Sequence, residues 1–248
     1  MYLLHNFKII QEEKFSLSYT NRAFQYNDGL FDTLIMENGR IRFLADHLER
    51  TQKALQVLQI QVPFELKDLE HLKGIIQELA EKNLLKDQRA RIKMHIWRMP
   101  GGLFTPEQNI ADTLITLQPQ AALNSIITHA DFATTVRNAY SPLSFFKGPF
   151  SAKYVLASLE KKQKQLDELI LLTDQGFVSE ALIANVFWVK ESVLYTPSLQ
   201  TGCIAGIVRK NIIRLAESEK LKLEEGSFTE SDLLSAEIVF TSNVTGLL

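Results

Sequence analysis

DTLIMENGRIRFLADHLERTQKALQVLQI, residues 32–60, changes its period partway along. Apolar residues first alternate around Asn38-Gly39, a pair suited to a tight hairpin because both central positions can take positive φ. From Ala45 the spacing lengthens to that of a helix, with Leu48, Thr51, Leu55 and Leu58 recurring on one face. Asp46 followed three residues later by Glu49 gives a capping pattern at its start. Two strands running into a helix within so short a span predict a sheet with helices packed on it.

The flanking sequence extends this reading. MYLLHNFKIIQEEKF predicts an N-terminal strand, PFELKDLEHLKGIIQELAEKNLL a second helix, and RARIKMHIWRM and DTLITLQP two further strands, which together make a compact α/β first half. A second half begins near LQPQAALNS. It reads as strand SIITHADFATTV, helix YVLASLEKKQKQL, strands DELILLTDQG, FVSEALIANVFWVK and SVLYTP, helix GIVRKNIIRLAESEKL, a capped helix from Thr229 and a closing strand EIVFTSNV. The expectation is a small α/β domain over residues 1–118 and a larger sheet-rich domain over 119–248, with a short packed junction near 118–124. No repeat or low-complexity segment interrupts either half.

Composition narrows the function. Of 248 residues, 46% are hydrophobic and 23% charged, the range of an ordinary globular protein. A net charge of −2 offers no basic field for nucleic acid or an anionic membrane. Lys8, Glu12 and Glu13 break the apolar N-terminus before a signal peptide or a membrane span could form. Cys203 is the single cysteine, so no internal disulfide forms, and a reducing, cytoplasmic location fits best. His5, His47, His71, His95 and His129 lack paired metal-binding spacing, so no metal is expected. Trp97 and Trp188 fall in apolar strands and read as core.

FFKGPFSAKYVLASLEKKQK, residues 145–164, holds five lysines. Lys161, Lys162 and Lys164 sit at the polar end of a helix and read as a solvated face. Lys147 stands between Ser144-Phe145-Phe146 and Gly148-Pro149-Phe150, an apolar setting in which an ammonium loses hydration and the free amine becomes a nucleophile toward an aldehyde. A lysine whose stem lies along apolar neighbours is the competing reading. Lys153 could simply cap the helix start. Further on, TGCIAGIVRKNIIRL places Gly202 and Gly206 ahead of a helix, where free N–H groups and the positive dipole end can hold a phosphate, although no nucleotide motif is present.

Taken together, YNDGLFDTLIMENGRIRFLADHLERTQKA, the lysine segment, DELILLTDQGFVSEALIANVFWV, YTPSLQTGCIAGIVRKNI and EIVFTSNV, in this order, resemble the class IV pyridoxal-phosphate enzymes. That family includes branched-chain and D-amino-acid aminotransferases and aminodeoxychorismate lyase. The resemblance spans nearly the whole chain and implies a two-domain fold type IV architecture, pyridoxal 5'-phosphate as cofactor, a small-molecule amino substrate and a homodimer. It also implies roles. Counting back from Glu180, which matches the family's acidic residue facing the pyridine nitrogen, the family interval lands on Lys147 as the Schiff-base and acid/base lysine. Arg50 matches the phosphate-binding arginine. Ile207 and Val208, by main-chain N–H, and Ser242 or Asn243 match the other phosphate contacts. Ile204 matches the residue packed on the ring, and Asn185 a supporting residue. Phe31, Arg98 in IWRMPGGLFTPEQ and Arg137 in TTVRN are the candidates for substrate contact.

There are departures from the pattern. After Glu180 come Ala181, Leu182, Ile183 and Ala184 where relatives often carry small hydroxyl residues, and Val208 replaces a common threonine. The chain also stops at GLL, short of the family's usual closing segment. The HLER helix, the GCIAGIVR loop and the DGLFDT segment lean toward aminodeoxychorismate lyase, which releases pyruvate and 4-aminobenzoate, a step of folate biosynthesis. Asp32, standing where some lyases carry a hydroxyl residue, leans toward an amino-acid transaminase. The missing hydroxyl residues leave room for a cofactor-binding protein without turnover.

Overall fold

The computed structural model of the chain describes residues 1–121, 126–148 and 151–247. Contacts divide it into two compact units, Met1–Ala122 with Phe146–Pro149 and Leu123–Phe145 with Phe150–Leu248. The short lysine-bearing stretch thus belongs with the first unit, away from its neighbours in sequence. Part of the expected junction at 118–124 lies outside the described residues.

In chain order the first unit comprises β1 (Tyr2–His5), β2 (Lys8–Gln11), α1 (Arg22–Tyr26), β3 (Gly29–Glu37), β4 (Arg40–Ile41), α2 (Leu44–Val57), α3 (Leu69–Lys82), β5 (Ala90–Arg98) and β6 (Ala111–Pro119). Its strands make one antiparallel sheet in the order β2-β1-β6-β5-β3-β4. The hairpin turn is where the sequence places it, with Asn38 at φ 49° and Gly39 at φ 70°. Leu34, Ile35 and Met36 of β3 are buried with Leu55 of α2 and with Leu72, Ile76 and Leu79 of α3. The cap of α2 differs from expectation. The helix starts at Leu44, its N-cap Phe43 sits in the left-handed region with no side-chain bond, and Asp46 is buried inside the first turn. Asp46 is therefore the third helical residue, an acidic group in the first turn favoured by the helix dipole, and not the N-cap itself. At α3, Asp68 does cap, accepting from the His71 N–H at 3.0 Å.

The second unit carries β7 (Ala130–Phe132), α4 (Ser151–Gln163), β8 (Glu168–Leu172), β9 (Val178–Ala181), β10 (Asn185–Lys190), β11 (Val193–Pro197), α5 (Ile207–Ser218), β12 (Leu223–Gly226), α6 (Glu230–Leu234), β13 (Ile238–Asn243) and β14 (Gly246–Leu247). A five-stranded sheet runs β12-β11-β10-β13-β14, and a three-stranded one β7-β8-β9. FVSEALIANVFWVK is therefore two strands. Ala181 and Ala184 exchange backbone bonds around a turn, the Leu182 N–H is taken by the buried Glu168 carboxylate, and β9 and β10 go to different sheets. An unbroken apolar run hides such a turn because no Gly or Pro marks it. SIITHADFATTV is strand only over Ala130–Phe132 among its described residues. Just beyond, Thr134 and Thr135 give their N–H and hydroxyl groups to Glu160 of α4.

Between these sheets lies an aromatic core. Trp188, 1% exposed, stacks on Tyr195 at 5.7 Å and meets the edge of Phe228 at 4.9 Å, among Ile170, Leu172, Val178 and Val186. Replacing Trp188 by Ala removes this centre and is expected to cost about 3–5 kcal/mol, read as a lower urea midpoint with the slope retained.

Candidate active site

The second unit is organised around a buried carboxylate. Glu180 lies on β9 and is 3% exposed. Its Oε1 accepts from the Tyr154 hydroxyl of α4 at 2.7 Å and from the Asn138 amide at 2.9 Å. Its Oε2 accepts from the Ile204 N–H at 2.9 Å. Burial pushes this carboxyl up, and the Ile204, Tyr154 and Asn138 donors and the Lys153 charge pull against it. Burial likewise pushes the neighbouring Cys203 thiol up to about 12, so it stays neutral. A carboxylate so held offers its remaining Oε2 lone pair to one further donor.

The glycine turn follows Ile204. Gly206 is the N-cap of α5, and no side chain caps it, so the N–H groups of Ile207 and Val208 open the helix without intrahelical partners. A Cβ at Gly206 would meet the Asn185 Oδ1 at 2.0 Å, so a larger residue there would have to displace that side-chain amide. Asn185 also donates to the Ile204 carbonyl at 2.8 Å and pairs with Ser242 across the β10–β13 ladder. The Ser242 hydroxyl is buried and has no partner among the described residues. Asn243, by contrast, is occupied, donating to the Ile183 carbonyl and accepting from Thr245. A helix start, a buried hydroxyl and a glycine N-cap are suited to a phosphate.

In the first unit, the Lys147 carbonyl accepts from the Phe31 N–H at 2.9 Å, so the lysine extends the sheet beside β3, half-buried. The Phe31 ring lies 4.7 Å below the Lys93 ammonium and 5.8 Å from the His95 ring. Next along the strand, Asp32 is buried. It accepts from Arg50 at 2.5 Å and bonds the His47 Nδ1 at 3.0 Å. Burial alone would push its carboxyl up, but the Arg50 guanidinium and the His47 ring outweigh that and hold it well below the usual carboxylate range.

The two arginines expected at the substrate are otherwise engaged. Arg98, 5% exposed, is bound by Asp28, by the Leu58 and Gln59 carbonyls and by Asn109. With every nitrogen so engaged, Arg98 fastens the end of β5. Arg137 is exposed and folds back on the Ala133 and Val136 carbonyls of its own segment. Tyr154, Asn138 and His47 were missed as site residues. Asn138 and Tyr154 stand 42 and 26 positions from Glu180, and no local pattern links them.

Asp32→Asn removes the charge facing the Arg50 guanidinium and the His47 ring and is expected to cost about 3–5 kcal/mol at neutral pH. Because the folded pKa lies below the unfolded value, the stabilisation is whole above about pH 4 and is lost as pH falls toward the folded pKa. Urea titrations of both proteins should therefore show their gap narrowing from pH 7 to pH 3.

Known proteins carry the same architecture. An aminodeoxychorismate lyase of Vibrio harveyi is 28% identical over 229 residues, covering 90% of this chain and 82% of the relative. A D-alanine aminotransferase of Bacillus licheniformis is 26% identical over 253 residues, covering 99% and 85%. The crystal structure of a branched-chain aminotransferase from the thermophilic archaeon Thermoproteus uzoniensis, solved with norvaline, matches with a TM-score of 0.88 at 23% identity, covering 99% of this chain and 84% of that one. The family model for amino-transferase class IV matches residues 29–248. The chain belongs to the class IV aminotransferases, pyridoxal-phosphate enzymes of fold type IV.

Proposed function

We propose that this protein is a 4-amino-4-deoxychorismate lyase, with Lys147 as its catalytic lysine. The observation that carries the cofactor assignment is the Glu180 carboxylate. It is buried, held by three donors, and followed by an uncapped helix start, so one unit has a group for a pyridine nitrogen and a cradle for a phosphate. The cofactor, when bound, supplies an electron sink for the substrate carbon. Glu180 holds negative charge toward the ring nitrogen. Ile207 and Val208 by N–H, Ser242 by its hydroxyl, Arg50 by its guanidinium and Asn243 as a flanking residue take the phosphate, while Ile204 packs on the ring. Asp32 and His47 orient Arg50. That role uses up the Asp32 carboxylate, so its presence does not weigh against a lyase.

Lys147 would supply the amine that holds the cofactor. As acid/base it would take a proton from the substrate ring and return one to the departing pyruvate as the ring becomes 4-aminobenzoate. Phe31, bonded through its N–H to Lys147, lines the substrate side. Arg98 and Arg137, engaged as described, are not assigned to substrate. The similarity to the Vibrio lyase favours this reaction, and that to the D-alanine aminotransferase supports the second reading, an amino-acid transaminase. By family resemblance the enzyme works as a cytoplasmic homodimer. No helix of the described residues is long and apolar enough to cross a membrane.

Lys153 is the rival lysine, since its ammonium lies 4.9 Å over the Tyr154 ring and interacts electrostatically with Glu180. Borohydride reduction of the loaded protein followed by peptide mapping is expected to place the cofactor on Lys147, and Lys147→Ala to abolish turnover. A label on Lys153 would overturn the lysine assignment. Pyruvate and 4-aminobenzoate formed from aminodeoxychorismate support the lyase. Conversion of the bound cofactor to its amine form by an amino acid alone selects the transaminase, and trapping without turnover of any amine selects a binding protein.

A further inference from the structure

We infer that Tyr154 is a positioning residue for Glu180: its hydroxyl fixes the Oε1 edge of the carboxylate and favours the charged form, leaving Oε2 to face the ring nitrogen. This rests on the assignment of Glu180 to that nitrogen. The strand after Glu180 offers no hydroxyl, only Ala181, Leu182, Ile183 and Ala184. The donors come instead from three other segments.

Oε1 is filled. It accepts from Tyr154 at 2.7 Å and from Asn138 at 2.9 Å, and the same Asn138 amide donates to the Ser179 hydroxyl at 2.8 Å. Among the described residues Oε2 has the Ile204 N–H alone, at 2.9 Å. The asymmetry decides which oxygen is left for a ligand donor. Tyr154 is held in turn by α4, whose Glu160 is tied to Thr134 and Thr135, a few residues before Asn138. Helix and amide thus reach Glu180 from one clamped assembly.

The titratable and charged groups around Glu180 are Lys153 and Tyr154 of α4 and Cys203 of the turn. Burial, then the Glu180 charge, push the Tyr154 phenol far up, so it remains a donor throughout the accessible pH range. Lys153 over its ring adds a cation on the same side. A hydrogen bond to a charged acceptor is worth roughly one pH unit of its titration, so removing the hydroxyl moves Glu180 upward toward neutrality.

The test uses the full chain carrying carboxyl-13C glutamate, with the Glu180 signal identified by its loss in Glu180→Gln. Tyr154→Phe is expected to raise the Glu180 midpoint by about one pH unit in the cofactor-free protein. Its affinity for pyridoxal phosphate should then fall more at pH 6 than at pH 8, whereas a merely structural loss would weaken binding equally at both. An unmoved midpoint overturns the role of Tyr154. A raised midpoint with cofactor affinity unchanged at both pH values overturns instead the placing of Glu180 at the ring nitrogen. Should Tyr154→Phe not fold, 3-fluorotyrosine at position 154 supplies a stronger donor and should lower the midpoint, and a midpoint left unmoved there overturns the inference as well.

Discussion

A carboxylate taken out of water must be repaid in hydrogen bonds, and in the second unit Glu180 imposes that demand on everything near it. Strand β9 buries it, and no neighbour on its own strand can serve it. A helix, a loop and a turn from three separate stretches of chain must therefore arrive together. Tyr154 requires α4 at a fixed rotation, Asn138 requires the segment after β7 to lie under it, and the Ile204 N–H requires the turn leading into α5 to point inward. The same turn then presents Gly206 and the start of α5, so satisfying the carboxylate also shapes the anion cradle.

The first unit solves a similar problem with arginines. Asp28 receives both Arg22 and Arg98, and Arg22 further reaches the Gly101, Gly102 and Leu103 carbonyls. Asp32 receives Arg50 and His47 across the β3–α2 contact. Such buried pairs contribute little net stability over apolar packing, but losing one partner is costly, so they fix register and helix position. Arg50 is thereby held in one orientation.

Local chemistry made much of this legible. The Asn38-Gly39 turn, the two amphipathic helices after it, the strand before Glu180 and the glycine turn before α5 are each written within a dozen or so residues. What escaped depends on partners far away in sequence. Asp46 looks like a cap because spacing alone cannot show that the chain turns at Phe43. Arg98 looks available because Asp28, Leu58, Gln59 and Asn109 are scattered over the first unit. Glu160 reads as part of a solvated lysine-rich face, yet it is buried and serves two threonines. Among the lysines, sequence pattern singles out the segment, and only the family interval chooses within it.

Family membership fixes the cofactor more firmly than the substrate, for a physical reason. In the reading proposed for this protein the cofactor would be held by main-chain N–H groups and a buried carboxylate, parts that tolerate change in the surrounding side chains. The substrate would meet side chains, where one substitution changes charge or shape. Phe31, proposed for the substrate side, shares one face of the β3–β5 ladder with Thr33, Lys93 and His95 by register. Burial, then the Lys93 charge, push the His95 ring down to about 4, leaving it neutral at physiological pH. Burial lowers Lys93 as well, with Arg91 adding to the effect. Arg91 lies on the same face by the alternation of the strand, so its positive character comes from Lys93 and Arg91 together, with the Lys93 ammonium already weakened by its surroundings.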